Sequence, residues 1–301
     1  MRTKRNLVEV FGHSPDDLSI SARSLWNLGA CPFTNSTCTK INHDQTITYG
    51  TCSVTSPYGD VIICPNRLYS DGYKVLLEVC SDAFGTDIPF KFYGEYVQSR
   101  NSLEECVVAL GKNSGREVQV GGSFSMDWVL ARIRDGKLVE YIGVEVQSID
   151  ITGNYRDAWH AYKNMSSVSD RDNLPSSQHG LNWANVHKRL IPQIIRKSVV
   201  YSRSKLVSKG LYFIVPEIVY LKFEDVIGSD IPLVAEPGHD VITVHTYALG
   251  DAVPHGSIRD LNLVRSLRFS LEDFAGRFIS GPNLPDGDAL DQVVKRVLGV
   301  V

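Results

Sequence analysis

In the stretch GVEVQSIDITG, residues 143–153, Glu145 and Gln147 stand two positions apart among apolar neighbours. Side chains alternate across a strand, so Val144 and Val146 face one way while Glu145 and Gln147 share the other. A solvated strand face accounts for an isolated E-x-Q. Here, however, Gly143, Val144, Val146 and Ile149 surround the pair, and Asp127 sits in a second apolar run, SFSMDWVLARI. An Asp and a Glu from adjacent strands can converge on one hard cation, because Mg²⁺ is commonly held by one or two carboxylates and completes its shell with water and phosphate oxygens. Such an ion activates water and stabilises charge on a phosphate. The Gln147 amide does not titrate and cannot act as a base, but its carbonyl can orient a water. Glu117, in GREVQV, is a candidate third acid and equally a solvated strand residue.

A second constellation is sulfur. Of six cysteines, Cys31, Cys38, Cys52 and Cys64 crowd together, whereas Cys80 and Cys106 lie among apolar neighbours and read as core residues. The opening MRTKRNLVEVFGHSPDD lacks the apolar core of a secretion signal, so the expected compartment is reducing and the clustered thiols suit a tetrahedral metal better than disulfides. The gaps of six, thirteen and eleven residues are not paired C-x-x-C knuckles. SPYGD, between TCSV and VIICP, is a turn that would bring Cys52 beside Cys64. The alternative is four separate small buried residues, which free cysteine often supplies.

The third constellation is basic. Between Asn173 and Pro216 there is no Asp or Glu, while Lys188, Arg189, Arg196, Lys197, Arg203, Lys205 and Lys209 all fall inside, as do His179 and His187. Charge runs are commonly solvated helix faces. The missing acids point instead to a surface that meets phosphate. With a net charge of −3 the whole molecule is no polycation, so contact with nucleic acid has to be local.

These residues need a scaffold. A chain of 301 residues with 43% hydrophobic and 22% charged residues can bury a sizeable core, and no apolar run is long enough to span a bilayer. Residues 1–85 read as a module organised by the four cysteines, and residues 86–301 as the main domain. SLEECVVAL, 102–110, opens with a capping box and predicts a helix. REVQV, SFSMDWVLARI and LVEYIGVEVQSIDI predict strands, the last two joined by a hairpin at Asp135-Gly136. Residues 182–208 have helical spacing, with a kink at Pro192. LYFIVPEIVYLKF and DVITVHTYAL predict further strands, and DALDQVVKRVLGV a closing helix. Together they make an α/β (α+β) core, a mixed sheet flanked by helices.

Asp127 with Glu145-Val146-Gln147 resembles the PD-(D/E)xK nuclease core, with Gln in place of the usual Lys. FGHS near the start, CPF at 31, CPNR at 64, FSMDW at 124, YIGVEVQSIDITGNY from 141 and NWANVHKR from 182 extend the likeness to the NotI/EagI family of type II restriction endonucleases. The matches keep the family's order over roughly residues 10–200, and the last hundred residues match poorly. That family carries E-x-Q. The resemblance implies a Mg²⁺-dependent homodimer in the bacterial cytoplasm that cuts double-stranded DNA at a GC-rich palindrome containing GGCC, with CGGCCG and a four-base 5′ overhang as the expected site. It also implies structural Fe or Zn on Cys31, Cys38, Cys52 and Cys64. Asp127 and Glu145 would hold Mg²⁺ and Gln147 and Glu117 would assist. Asn182, Asn185, Lys188, Arg189, Arg196 and Lys197 would meet DNA, with Arg better suited than Asn to guanine edges. A repair nuclease that reads no sequence, and a non-catalytic DNA-binding protein, are the competing readings.

Overall fold

The longest apolar runs of the chain, ECVVALG, WVLARIR, KLVEYIGVEV, LYFIVP and VITVHTYAL, all become strands of one sheet. The computed structural model describes residues 5–42, 44–102, 104–120, 124–282 and 284–300. In chain order, β1 (Leu7–Val10) precedes α1 (Ile20–Leu28), a small hairpin of β2 (Ala30–Cys31) and β3 (Ser36–Thr37), and a second hairpin of β4 (Thr51–Ser56) and β5 (Gly59–Ile62). Next come α2 (Ser70–Phe84), β6 (Phe90–Phe92), α3 (Tyr93–Ser99) and β7 (Glu105–Gly111). A ribbon of β8 (Val118–Val120) and β9 (Phe124–Met126) leads into β10 (Trp128–Arg134) and β11 (Lys137–Val146). Beyond lie β12 (Ile151–Thr152), α4 (Arg156–Lys163), β13 (Gly180–Leu181), α5 (Ile191–Ser202), β14 (Leu211–Pro216), α6 (Glu217–Ile227), β15 (Val241–Leu249), β16 (Leu261–Ser270), α7 (Leu271–Ser280) and α8 (Gly287–Leu298).

Strands β1, β4 and β5 form a three-stranded antiparallel sheet, and seven strands form a mixed sheet in the order β16-β15-β14-β11-β10-β7-β6. At its centre β11, β14 and β15 run parallel, while β10 pairs antiparallel with both β11 and β7. Parallel strands are covered on both faces, and every residue of β14 is buried. The alternation of β14 sorts the helices. The Tyr212 hydroxyl donates to Asp82 of α2, whereas Phe213 packs on Phe223 of α6, so α2 and α6 lie on opposite faces. Helix α5 shares the α6 side: an added Cβ at Gly143 of β11 would meet the Tyr201 ring of α5 at 2.1 Å. The expected mixed sheet with flanking helices is therefore present. The expected division at residue 85 falls at the end of α2, which packs on that sheet.

Two local expectations are corrected. Residues 105–111 are a strand, not a helix: Val107, Val108 and Ala109 are all buried, and a β-branched run wanted on both faces outweighs a capping signal. Leu103, part of that expected helix, and Ser123, at the start of SFSMDW, lie outside the described residues. LYFIVPEIVYLKF is a strand followed by a helix, with Pro216 at the N-cap and Glu217 in the first turn of α6. Pro192 lies inside one continuous helical run: a π turn over Val186–Leu190, in which the Ile191 N–H bonds back to the Val186 carbonyl, passes directly into α5, so the helix is irregular where the kink is expected and the widened turn accommodates the missing Pro192 N–H. The expected turn at Asp135-Gly136 holds, with φ of 50° and 69°, the left-handed pair that a two-residue hairpin requires. The closing helix is present as α8.

A buried ion pair ties the small sheet to the large one. Glu9 of β1 and Arg67 are both fully buried, joined by Nε and Nη2 contacts of 3.0–3.1 Å, with Ser53 donating to the same carboxylate. Arg67 Nη2 also donates to the Arg259 carbonyl, just before β16, at 2.6 Å. Removing one partner strands a buried charge, so Arg67→Ala should cost about 3–5 kcal/mol. Glu9→Gln/Arg67→Met, which removes both charges, should cost less than that single change. Urea denaturation of the two variants measures the difference, and a larger loss in the double variant would refute the account.

Candidate active site

The run that sequence suggested as one strand is broken at Asp127, between β9 and β10. The break frees Asp127 from the ladder. Its Oδ2 accepts from the Val146 backbone N–H at 3.0 Å and from Gln147 Nε2 at 3.3 Å, so the carboxylate takes the place of a strand partner. Gly111 of β7 makes room for this, since a Cβ there would meet the Asp127 carbonyl at 2.7 Å and the Trp128 ring at 2.6 Å. Trp128 pairs with Val144, which brings Asp127 abreast of Glu145. The two acids and Gln147 are thus brought together. Gln147 is held in turn by its own N–H, which donates to the Ile214 carbonyl at 3.0 Å.

Glu145 is fully buried. Its Oε2 accepts from Lys197 Nζ of α5, and its Oε1 has no partner among the described residues. Burial first, and then the charge of Asp127, push its pKa up to about 8 against the opposing pull of Lys197. The same surroundings raise the Tyr201 phenol, through burial and then Glu145. Tyr69, whose hydroxyl accepts from Trp128 Nε1 at 3.0 Å, is raised by burial and then by Asp127.

Asp127 opens onto a cleft of about 190 Å³ that Glu117, Lys112, Asn113, Asn66 and Val146 also line. Glu117 therefore joins the site at its solvent edge, where Ser125 donates to its Oε1 at 2.5 Å and holds its carboxyl below the usual range. Asp127 and Glu145 offer the hard oxygen donors that Mg²⁺ takes together with water, while Glu117 stands apart from them, since among the described residues no three acidic, His or Cys side chains are gathered closely enough to hold one ion.

The expected DNA-facing residues separate into two groups. Lys188, Arg189 and Arg196 are exposed, with Arg196 over the Phe124 ring at 5.9 Å, one strand segment from Asp127. Asn182 and Asn185 are half-buried and gathered on Asp150: the Asn182 N–H donates to its carbonyl at 2.8 Å and Asn185 Nδ2 to its carboxylate at 2.9 Å. Arg189 lies 3.7 Å from the same carboxylate. Lys197 is corrected. It is 5% exposed and turned inward to Glu145, because consecutive helical residues point about 100° apart and only one of Arg196 and Lys197 can face out. Nothing in the local sequence marks it, since it sits beside Arg196 in a basic run in which Lys188, Arg189, Arg203 and Lys205 are exposed. Lys112, Asn113 and Tyr201 also escaped sequence reasoning, being brought in only by the sheet.

The four clustered cysteines are all buried and free, and the β4–β5 hairpin does set Cys64 beside Cys52, whose carbonyl accepts the Cys64 N–H at 3.2 Å. Cys52 Sγ donates to the Gly50 carbonyl at 3.3 Å. Burial raises Cys64 to about 11, with Cys38 and Cys31 adding to the rise. A soft four-sulfur donor set suits Fe or Zn. The spacing does not assemble it: among the described residues no three His, Cys, Asp or Glu side chains are gathered closely enough to hold one ion. No helix among the described residues is long and apolar enough to cross a membrane.

A scan against protein-family models and a search of curated proteins each return no match to this chain.

The protonation of Glu145 has a measurable sign. Its folded pKa of about 8 exceeds the ordinary 4.5, so the stability it contributes is fully present below pH 4.5 and is lost as pH rises through 8. With divalent ions chelated, the Tm should fall between about pH 4.5 and about pH 8 and level off above, and Glu145→Gln should flatten most of that fall. An unaltered profile in the variant would show that Glu145 does not titrate there.

Proposed function

We propose that the chain is a Mg²⁺-dependent endonuclease acting on double-stranded DNA, of the type II restriction class, working as a homodimer on a GC-rich palindrome containing GGCC. The observation that carries this reading is the Asp127–Glu145–Gln147 constellation, two abutting carboxylates and an amide at the cleft end of the central strands. The central sheet, in which the E-x-Q strand runs parallel to β14 and antiparallel to β10, supports a PD-(D/E)xK core. Asp127 and Glu145 would hold the ion, which when bound supplies Lewis acidity toward a phosphate and acidifies a water.

The remaining roles belong to the chain itself. Asp127 is fixed by Val146 N–H and Gln147 Nε2, so the Gln147 amide carbonyl is left free to orient a water near the cleft. Lys197 is a positioning residue: its ammonium holds the Glu145 side chain through Oε2 and opposes the rise in pKa that burial and Asp127 impose. Glu117, at the rim, accepts from Ser125 and adds negative charge where a cation would approach. Lys188, Arg189 and Arg196 provide exposed cations on the same side of the sheet for backbone phosphates. The four-cysteine metal remains part of the proposal on donor chemistry alone, and the elemental content of purified protein decides it.

Incubating the protein with plasmid and Mg²⁺ tests the reading. Discrete fragments with defined ends support restriction, a smear supports a nuclease that does not read sequence, and intact DNA refutes both. Asp127→Ala should lower cleavage by at least about a thousandfold while DNA affinity stays within about tenfold, because phosphate contacts survive the loss of a metal ligand. Near wild-type cutting by this variant would refute the site.

A further inference from the structure

Helix α8 is a full twelve residues, yet none of them is buried, and every residue from Asp286 to Val300 is exposed. An isolated helix of this length is marginal in water, so tertiary or quaternary burial normally supports it. Its sequence carries the stripe for such burial. Leu290, Val293, Val294, Val297 and Leu298 recur at helical spacing and are exposed by 63, 51, 47, 80 and 68%. Ile279, at the end of α7, and Leu284, in the linker, are also exposed. Nothing else in the described chain covers this face.

The charges along α8 say what would. Asp288 and Asp291 lie in its first half, Lys295 and Arg296 in its second, with Asp286 capping the start through the Ala289 N–H at 2.7 Å. Paired parallel with a copy of itself, the helix sets acid against acid and base against base. Paired antiparallel, it sets the acidic half of each copy against the basic half of the other, opposes the two helix dipoles, and brings Leu290 toward Val297 across a central Val293–Val294. That arrangement is isologous, as a two-fold dimer requires.

We infer that α8 is the self-association element of this protein, pairing antiparallel with α8 of a second copy and burying the stripe Leu290, Val293, Val294, Val297 and Leu298. The proposal rests on the nuclease reading only for what the dimer serves, and its test needs neither DNA nor metal. A helix about 18 Å long is a small contact by the standard of stable complexes, so the dimer should be concentration-dependent.

Sedimentation of the full chain over about 1–100 µM, without DNA, should show a monomer–dimer equilibrium. Leu290→Asp/Val297→Asp should shift it at least tenfold toward monomer while the sheet and its other helices stay folded, since both positions are exposed and only α8 draws on the pairing. Asp288→Lys/Asp291→Lys and Lys295→Asp/Arg296→Asp should each be monomeric alone and dimerise when mixed. Single cysteines placed at 290, 293 and 297 distinguish direction: oxidation should cross-link 293 well and the outer two poorly, whereas a parallel pair links all three. A wild-type chain that stays monomeric throughout, a dimer that survives the aspartate pair, or equal cross-linking at all three positions overturns the proposal. If dimerisation behaves as stated while plasmid stays intact, the nuclease reading fails and this one stands.

Discussion

A carboxylate on the central strand of a mixed sheet is cut off from water, and its charge must be answered by something the sheet does not contain. For Glu145 the answer is Lys197, which arrives from α5 across the face of the sheet. Much of the architecture serves that meeting. Strand β11 must sit between β10 and β14 for Glu145 to be recessed, and Asp127 must leave the ladder to come beside it. The helical run into α5 must take up Pro192, which the π turn before it does, so that one basic residue points inward and its neighbour outward.

The Glu9–Arg67 pair makes an instructive contrast. It too is fully buried, but Arg67 answers both Glu9 oxygens through Nε and Nη2, Ser53 adds a third donor, and the Arg259 carbonyl shares Nη2. The Glu9 carboxylate is thus fully answered, although Arg67 Nη1 has no partner among the described residues, and the pair fastens the small sheet to the large one. Glu145 by comparison keeps an oxygen without a partner and shares its surroundings with a second acid. What sets Glu145 apart is not the missing partner alone, which Arg67 Nη1 shares, but a second acid beside a buried carboxyl whose pKa is raised to about 8, the kind of perturbation that clusters at functional sites.

The alternation of Val144, Glu145, Val146 and Gln147 was legible as a face, and the Asp135-Gly136 turn fixed which strand would lie beside it, so the two acids could be paired before any coordinates. The hairpin that sets Cys52 beside Cys64 was legible for the same reason: a two-residue turn determines register. Residues 105–111 misled because a capping box is a local signal and burial on both faces is not. Lys197 was legible as a charge and illegible as a partner, since only the packing of α5 on β11 decides which side of the helix meets the sheet. The surface of α8 was visible as a helix, but whether its apolar stripe would be covered by the rest of the chain was a question of tertiary placement.

Gly143 stands two residues before Glu145 on the face that α5 covers, with the Tyr201 ring pressed where a side chain would begin. The layer between helix and sheet at that point is filled by the Tyr201 ring, with no room for a side chain from the strand. Lys197 lies one helical turn from Tyr201, so the reach of its ammonium to Glu145 is gauged by the same contact. Position 143 thus works as a calibrated gap: any larger residue there lifts the helix like a shim under a beam, and the lysine is withdrawn from the carboxylate without either of them being altered.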